Sequence, residues 1–190
     1  MCRYCFHAAV TDRPISLIEK NGDAQRIMFT TKHRIQHGDS RNMTTVGDET
    51  VDLTISSPPY PMIQMWDPVS YSLNTDIETR LNRCDGHTAF DLMHRELDKI
   101  WCELHRVTKN GGIVYTNIGG ATRKIGNVFQ LYSNYSRISQ KFTQIGFISL
   151  PTVLWRKQTN SPNKFMGSGM MPPNAYVTME NEYILLFRKG

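Results

Sequence analysis

Nowhere in the 190 residues does an apolar run approach the eighteen or more that a membrane-spanning helix needs, and the opening Met1-Cys2-Arg3-Tyr4-Cys5 lacks the apolar centre of a secretory leader. The expectation is a cytoplasmic protein with no membrane partner. Cysteine is scarce, four residues in all. Cys2 and Cys5 have the spacing of half a zinc site, but no second such pair or close histidine pair follows, and only His7 and Cys84 stand as candidates to complete it. No metal is expected. Internal repeats and low-complexity segments are also missing. Acids are absent from residues 121–164, which hold seven bases, whereas residues 67–103 hold eight acids against four bases. The basic segment, with Arg123, Lys124, Arg137, Lys141, Arg156, Lys157 and Lys164, reads either as a phosphate-facing surface or as scattered solvated side chains.

What is present is an ordinary globular composition, 39% apolar and 21% charged, long enough for one domain with a substantial core. Residues 1–25 show weak periodicity and several breakers and read as an irregular or partly ordered arm, leaving 26–190 as the main domain. Short strand-like runs follow at Arg26–Phe29 and Arg34–His37, the second ending in Gly38-Asp39. Residues 40–50 have room for a short helix. Val51–Ser56 reads as a largely buried strand that Pro58 and Pro59 must end, since neither can donate to a ladder. Residues 61–87 show no sustained period and read as a long loop with a helical turn.

Phe90, Met93, Leu97, Ile100, Trp101, Leu104 and Val107 recur at helical spacing, predicting a helix over 88–107 that Gly111-Gly112 stops. Residues 113–118 make a strand, 127–145 a second helix, 147–155 a strand and 182–187 the last strand, with a polar loop over 158–178. Strands alternating with helices indicate an α/β sandwich, its sheet mainly parallel with an antiparallel last strand.

The turn Ser57-Pro58-Pro59-Tyr60 sits at a strand's carboxyl end, the edge where ligands bind in an open α/β sheet. It offers a hydroxyl, a carbonyl fixed by proline and an aromatic face. Two acceptors converging on one donor suit a planar NH₂ group, and a tyrosine can stack on the ring that bears it. The same residues also suit a buried corner with Tyr60 in the core.

Thr54-Ile55-Ser56-Ser57-Pro58-Pro59-Tyr60 resembles the catalytic motif of amino-directed DNA methyltransferases, and its Ser-Pro-Pro-Tyr form is most similar to enzymes that methylate N4 of cytosine. Gly38-Asp39 followed by the 51–60 strand resembles the strand pair that opens the permuted members. Residues 160–169 and 180–190 resemble their late catalytic-region motifs. The resemblance implies a Rossmann-like S-adenosylmethionine-dependent methyltransferase sandwich acting on double-stranded DNA in a restriction-modification system, with adenine N6 as the alternative target. It implies that Ser57 and the Pro58 carbonyl accept from the target amine, that Pro59 holds the turn, that Tyr60 stacks on the extruded base and that Asp39 lies near the cofactor's adenosine. Arg123, Lys124, Lys157, Asn163 and Lys164 are the candidates for DNA contact.

One family feature is missing, the Phe-x-Gly-x-Gly segment that lets backbone approach the cofactor; Gly167-Ser168-Gly169 has no strand and helix to frame it. The expectation is therefore the catalytic half of an enzyme, a fragment or one subunit of a split enzyme. Its incomplete sheet would be finished by a second polypeptide or by self-association. A DNA-binding module without activity is the reading from a different class.

Overall fold

The computed structural model describes residues 6–10, 32–157 and 181–190. Its centre is a four-stranded sheet built from β3 (Val51–Ser56), β4 (Thr108–Ile118), β7 (Phe147–Arg156) and β8 (Asn181–Lys189), in the order β3-β4-β8-β7. β3 and β4 run parallel, and β8 is antiparallel to both β4 and β7. Three strands thus share one direction and the last is reversed between them, which is the mixed sheet expected from the sequence. Two small antiparallel pairs stand apart from it: β1 (Phe6–Val10) with β2 (Lys32–Gln36), and β5 (Ala121–Ile125) with β6 (Val128–Tyr132). β1 falls inside the segment read as an irregular or partly ordered arm. The proposed strand at 26–29 and the motif resemblances at 160–169 lie outside the described residues.

Helices α3 (Gly86–Val107) and α4 (Asn134–Gln144) supply the core layer. The three- and four-residue spacing in α3 buries Met93, Leu97, Ile100, Trp101 and Leu104, and Asp85 caps its start by accepting from the Thr88 N–H at 3.1 Å. Trp101 and Phe142 pack with Phe147 and Phe187, whose rings give α4 its seat on the sheet; Phe142 and Phe187 stack 4.1 Å apart. α3 ends at Thr108, whose hydroxyl bonds the Leu104 carbonyl, so β4 starts without a connecting turn. Gly111 and Gly112 do not stop the helix. They lie within β4, where the register against β3 slips between Val51 and Leu53, and Gly111 adopts φ +79° there.

Three further elements differ from the sequence expectation. Residues 61–87 form a short 3₁₀ turn, then α1 (Asp67–Leu73) and α2 (Asp76–Asn82), which fold onto α3 through Ile77 and Leu81. The helix expected over 127–145 is β6 followed by α4. Residues 40–50 form turns rather than a helix. β3 is not buried on both faces, since Thr54 points into the core while Leu53 is 50% and Ile55 74% exposed. The cause is position. Among the described residues β3 is an edge strand, and both helices that pack on the sheet lie on the face that Thr54 enters.

Candidate active site

The parallel pairing of β3 and β4 brings two loops to one edge of the sheet, Ser57–Pro61 after β3 and Gly119-Gly120 after β4. Pro58 is buried and Ser57 exposed, so the turn presents its hydroxyl to solvent while its proline anchors it. Tyr60 is held at its hydroxyl. The Asn117 amide donates to the phenol oxygen at 3.0 Å and to Glu182 Oε2 at 2.6 Å, and Lys157 pairs with the other Glu182 oxygen. One edge of the ring lies against Gly119, where an added Cβ would meet Tyr60 Cε2 at 3.3 Å. Burial pushes the Tyr60 phenol up to about 12, opposed by the Ser57 hydroxyl and reinforced by the Glu182 charge, so it stays protonated. Burial of Glu182 acts against its charge, but Lys157 and Asn117 outweigh that and hold its carboxyl below the usual range. The result is a ring fixed in orientation beside an exposed hydroxyl and a fixed carbonyl.

Beyond the turn, Met62 is 1% exposed and adopts φ +68°, a left-handed conformation that a non-glycine residue holds only when its surroundings dictate it. A groove of about 520 Å³ opens here, lined by Met62, Ile63 and Gln64 on one side and by residues 120–125 on the other. That volume is in the range of small-molecule sites. Its two walls begin at the residue that follows the turn, Met62, and at Gly120 of the second loop.

On the helix side, Asn134 is fully buried and its amide donates to the carbonyls of Pro61 and Gly119, each at 3.1 Å. Its oxygen is 3.0 Å from His94 Nε2. Burial pushes His94 down to about 3, aided by the Arg137 charge and opposed by the bond to Asn134. The ring is neutral in the folded protein but takes a proton near pH 6.5 once unfolded, so the unfolded state binds more protons between those values. Stability is therefore expected to fall as pH falls below about 6.5, at up to ~1.4 kcal/mol per pH unit from this group. Urea midpoints of wild type and His94→Gln check this, and equal pH slopes for the two would refute it.

Asp39 lies away from this constellation in the described contacts. Its carboxylate accepts from the Arg41 guanidinium at 2.7 to 3.1 Å, and Arg41 also reaches Glu96 at 2.7 Å. The pocket beside it, lined by Gly38, Asp39, Ser40 and Met43 among others, measures about 50 Å³.

The basic segment is not a continuous positive surface. Arg123 bonds Asp67 through both terminal nitrogens at 2.8 and 2.7 Å, with side-chain exposures of 16% and 9%. Arg137 and Lys141 face Asp98, and Lys157 pairs with Glu182. The acids come from the 67–103 segment and from β8, so charges separated in sequence meet in the fold. Of the sequence candidates for DNA contact, Arg123 and Lys157 are thus engaged within the chain. Lys124 is exposed at the groove, and Asn163 and Lys164 lie outside the described residues. Cys84 and Cys102 are free and exposed, and no metal-binding cluster occurs among the described residues. Sequence reasoning missed His94, Asn117, Asn134 and Glu182, which act through partners distant in the chain. No helix among the described residues is long and apolar enough to cross a membrane.

Comparison with known proteins places this geometry in context. The family model described as DNA methylase, of the N6 and N4 amino group, matches residues 51–190. The chain is 52% identical over 160 residues to the Type II methyltransferase M.MthZI of Methanothermobacter thermautotrophicus, covering 84% of this chain and 45% of that protein. It is 47% identical over 175 residues to the Type II methyltransferase M.MjaI of Methanocaldococcus jannaschii, covering 86% and 58% respectively. The chain spans about half the length of these curated relatives. A Thermus thermophilus structure assigned as a DNA modification methylase, complexed with S-adenosyl-L-methionine, superposes with a TM-score of 0.55 at 25% identity, covering 80% of this chain and 53% of that one.

Proposed function

Because the chain belongs to the N6 and N4 DNA methylase family, whose model spans residues 51–190, we propose that it carries the amine-orienting half of an S-adenosylmethionine-dependent methyltransferase acting on N4 of cytosine in double-stranded DNA, within a restriction-modification system. The observation that carries the reading is the fixed turn itself: Ser57 exposed, Pro58 buried and Tyr60 anchored at its hydroxyl, followed directly in the chain by Met62 in the wall of a groove of about 520 Å³. Ser57 Oγ and the Pro58 carbonyl accept the two amine hydrogens and fix the direction of the nitrogen lone pair. Tyr60 stacks on the extruded ring and offsets part of an unstacking cost of a few kcal/mol. Neither free cysteine has a role in this geometry. The Ser-Pro-Pro-Tyr form of the turn supports cytosine.

When bound, S-adenosylmethionine supplies a methyl group on a sulfonium. The Asp39 pocket, at about 50 Å³ with its carboxylate already held by Arg41, fits a polar edge of that cofactor and not the whole. Edge strands β3 and β7 leave Ile55 and Trp155 exposed at 74% and 49%. Both features support a second polypeptide segment that covers the open sheet and brings the rest of the cofactor site, for which the greater length of the relatives leaves room. Lys124 is the described candidate for phosphate contact.

The test is methylation of DNA by the full enzyme, followed by digestion to nucleosides and mass measurement, with this chain alone run in parallel. N4-methylcytosine is expected from the full enzyme. Methyladenine alone would overturn the cytosine assignment, no methylated nucleoside would overturn methyl transfer, and full activity of this chain as a monomer would overturn the need for a second segment.

A further inference from the structure

We propose that Asn134, oriented by His94, is a positioning residue that ties the Ser57–Pro61 turn to the Gly119-Gly120 loop and so holds the turn in place for the target base. The role rests on the methyltransferase reading above and goes beyond it, because Asn134 belongs to neither loop and lies outside the Ser-Pro-Pro-Tyr turn.

The argument starts from where the amide sends its hydrogens. Asn134 opens α4, yet its side chain does not cap that helix; it donates across to Pro61 O and Gly119 O, both at 3.1 Å. Each carbonyl belongs to the residue just before one wall of the groove, whose lining is residues 62–64 and 120–125. A single planar NH₂ therefore ties the two loops together where the walls begin. Its direction is set in turn by His94. With neutral imidazole donating from Nε2 to the Asn134 oxygen at 3.0 Å, the NH₂ must face the two carbonyls, and a flipped amide would oppose donor to donor and oxygen to oxygen. His94 is fully buried on α3, and its Nδ1 has no partner among the described residues. A core that needed only volume would be better served by an apolar side chain, since a buried unpartnered nitrogen costs stability. The bond to Asn134 is what the imidazole contributes.

Misplacing a reacting group by about 1 Å can cost on the order of 10²-fold in rate. In the full enzyme, Asn134→Leu is expected to lower kcat about 100-fold with KM for DNA changed less than about threefold. Amide exchange at Ile63 and Gly120 should quicken about tenfold or more as the tie is lost, an opening cost of roughly 1.4 kcal/mol removed. His94→Leu should move both readouts the same way, and His94→Gln, which keeps an N–H for the Asn134 oxygen, should restore them. Wild-type kcat or unchanged loop exchange in folded Asn134→Leu would overturn the proposal, as would a fall in kcat matched by the lost folded fraction. Should wild type itself transfer no methyl group, the proposed function fails while the exchange measurement still decides whether Asn134 ties the loops.

Discussion

Ser57→Ala is expected to leave the fold within about 0.5 kcal/mol of wild type and to lower kcat for methyl transfer by about 10²-fold or more, while Tyr60→Ala lowers kcat/KM by roughly 5- to 150-fold. The two losses have different origins. Ser57 is exposed and its bond to the Tyr60 phenol is backed there by Asn117, so removing its hydroxyl strands no buried group and costs chiefly the orientation of the amine's lone pair. Tyr60 supplies stacking worth about 1–3 kcal/mol for one base, and its removal also frees Asn117 and Glu182 from a shared phenol. Tyr60→Phe separates those parts: the ring remains and the anchor goes, so activity should fall between wild type and Tyr60→Ala. Single-turnover methyl transfer with saturating cofactor measures all three. Wild-type rates in Ser57→Ala or Tyr60→Ala would remove the proposed roles.

The second large effect concerns stability. Arg123→Ala is expected to destabilise the fold by about 3–5 kcal/mol, because it strands the Asp67 carboxylate, 9% exposed, without the guanidinium that holds both its oxygens. Tyr71 donates to the same carboxylate at 3.3 Å and cannot replace a charge. The double variant Arg123→Met/Asp67→Leu should recover most of the loss, since it removes both buried charges and keeps apolar volume. Denaturant unfolding of the three proteins decides. If Arg123→Ala instead unfolded like wild type and bound DNA more weakly, with a salt dependence reduced by about one phosphate contact, Arg123 would be a DNA ligand and not a bolt between hairpin and helix.

The parts of the fold that were legible in the sequence are those whose signal is local. α3 declares itself because Met93, Leu97, Ile100, Trp101 and Leu104 repeat on one face, and the turn declares itself because two prolines must end a strand. The β5–β6 hairpin was hidden by coincidence. Val128 and Leu131 stand three apart, as they would on a helix, and the informative residues were Gly126-Asn127, a two-residue turn in which Gly126 adopts φ +58°. α1 and α2, at seven residues each, are too short to show a period. The site's supporting residues were illegible for another reason. Asn134 meets Pro61 from 73 positions away and Glu182 meets Asn117 from 65, so neither has a neighbour in sequence that would betray it. The same distance left the charge count open between a phosphate-facing surface and scattered solvated side chains, when in the fold Asp67, Asp98 and Glu182 close on four of the seven bases.

The edge position of β3 also decides how the molecule can open. Among the described residues the strand that carries the turn has one neighbour, β4, while β4 and β8 each have two. Releasing β3 breaks one ladder and leaves β4, β8 and β7 paired and the aromatic seat of α4 in place. Loss of β3 from the sheet is therefore a smaller event than global unfolding, so the Ser-Pro-Pro-Tyr turn can be surrendered while the rest of the sheet stands, and it is most secure when a further layer lies across it.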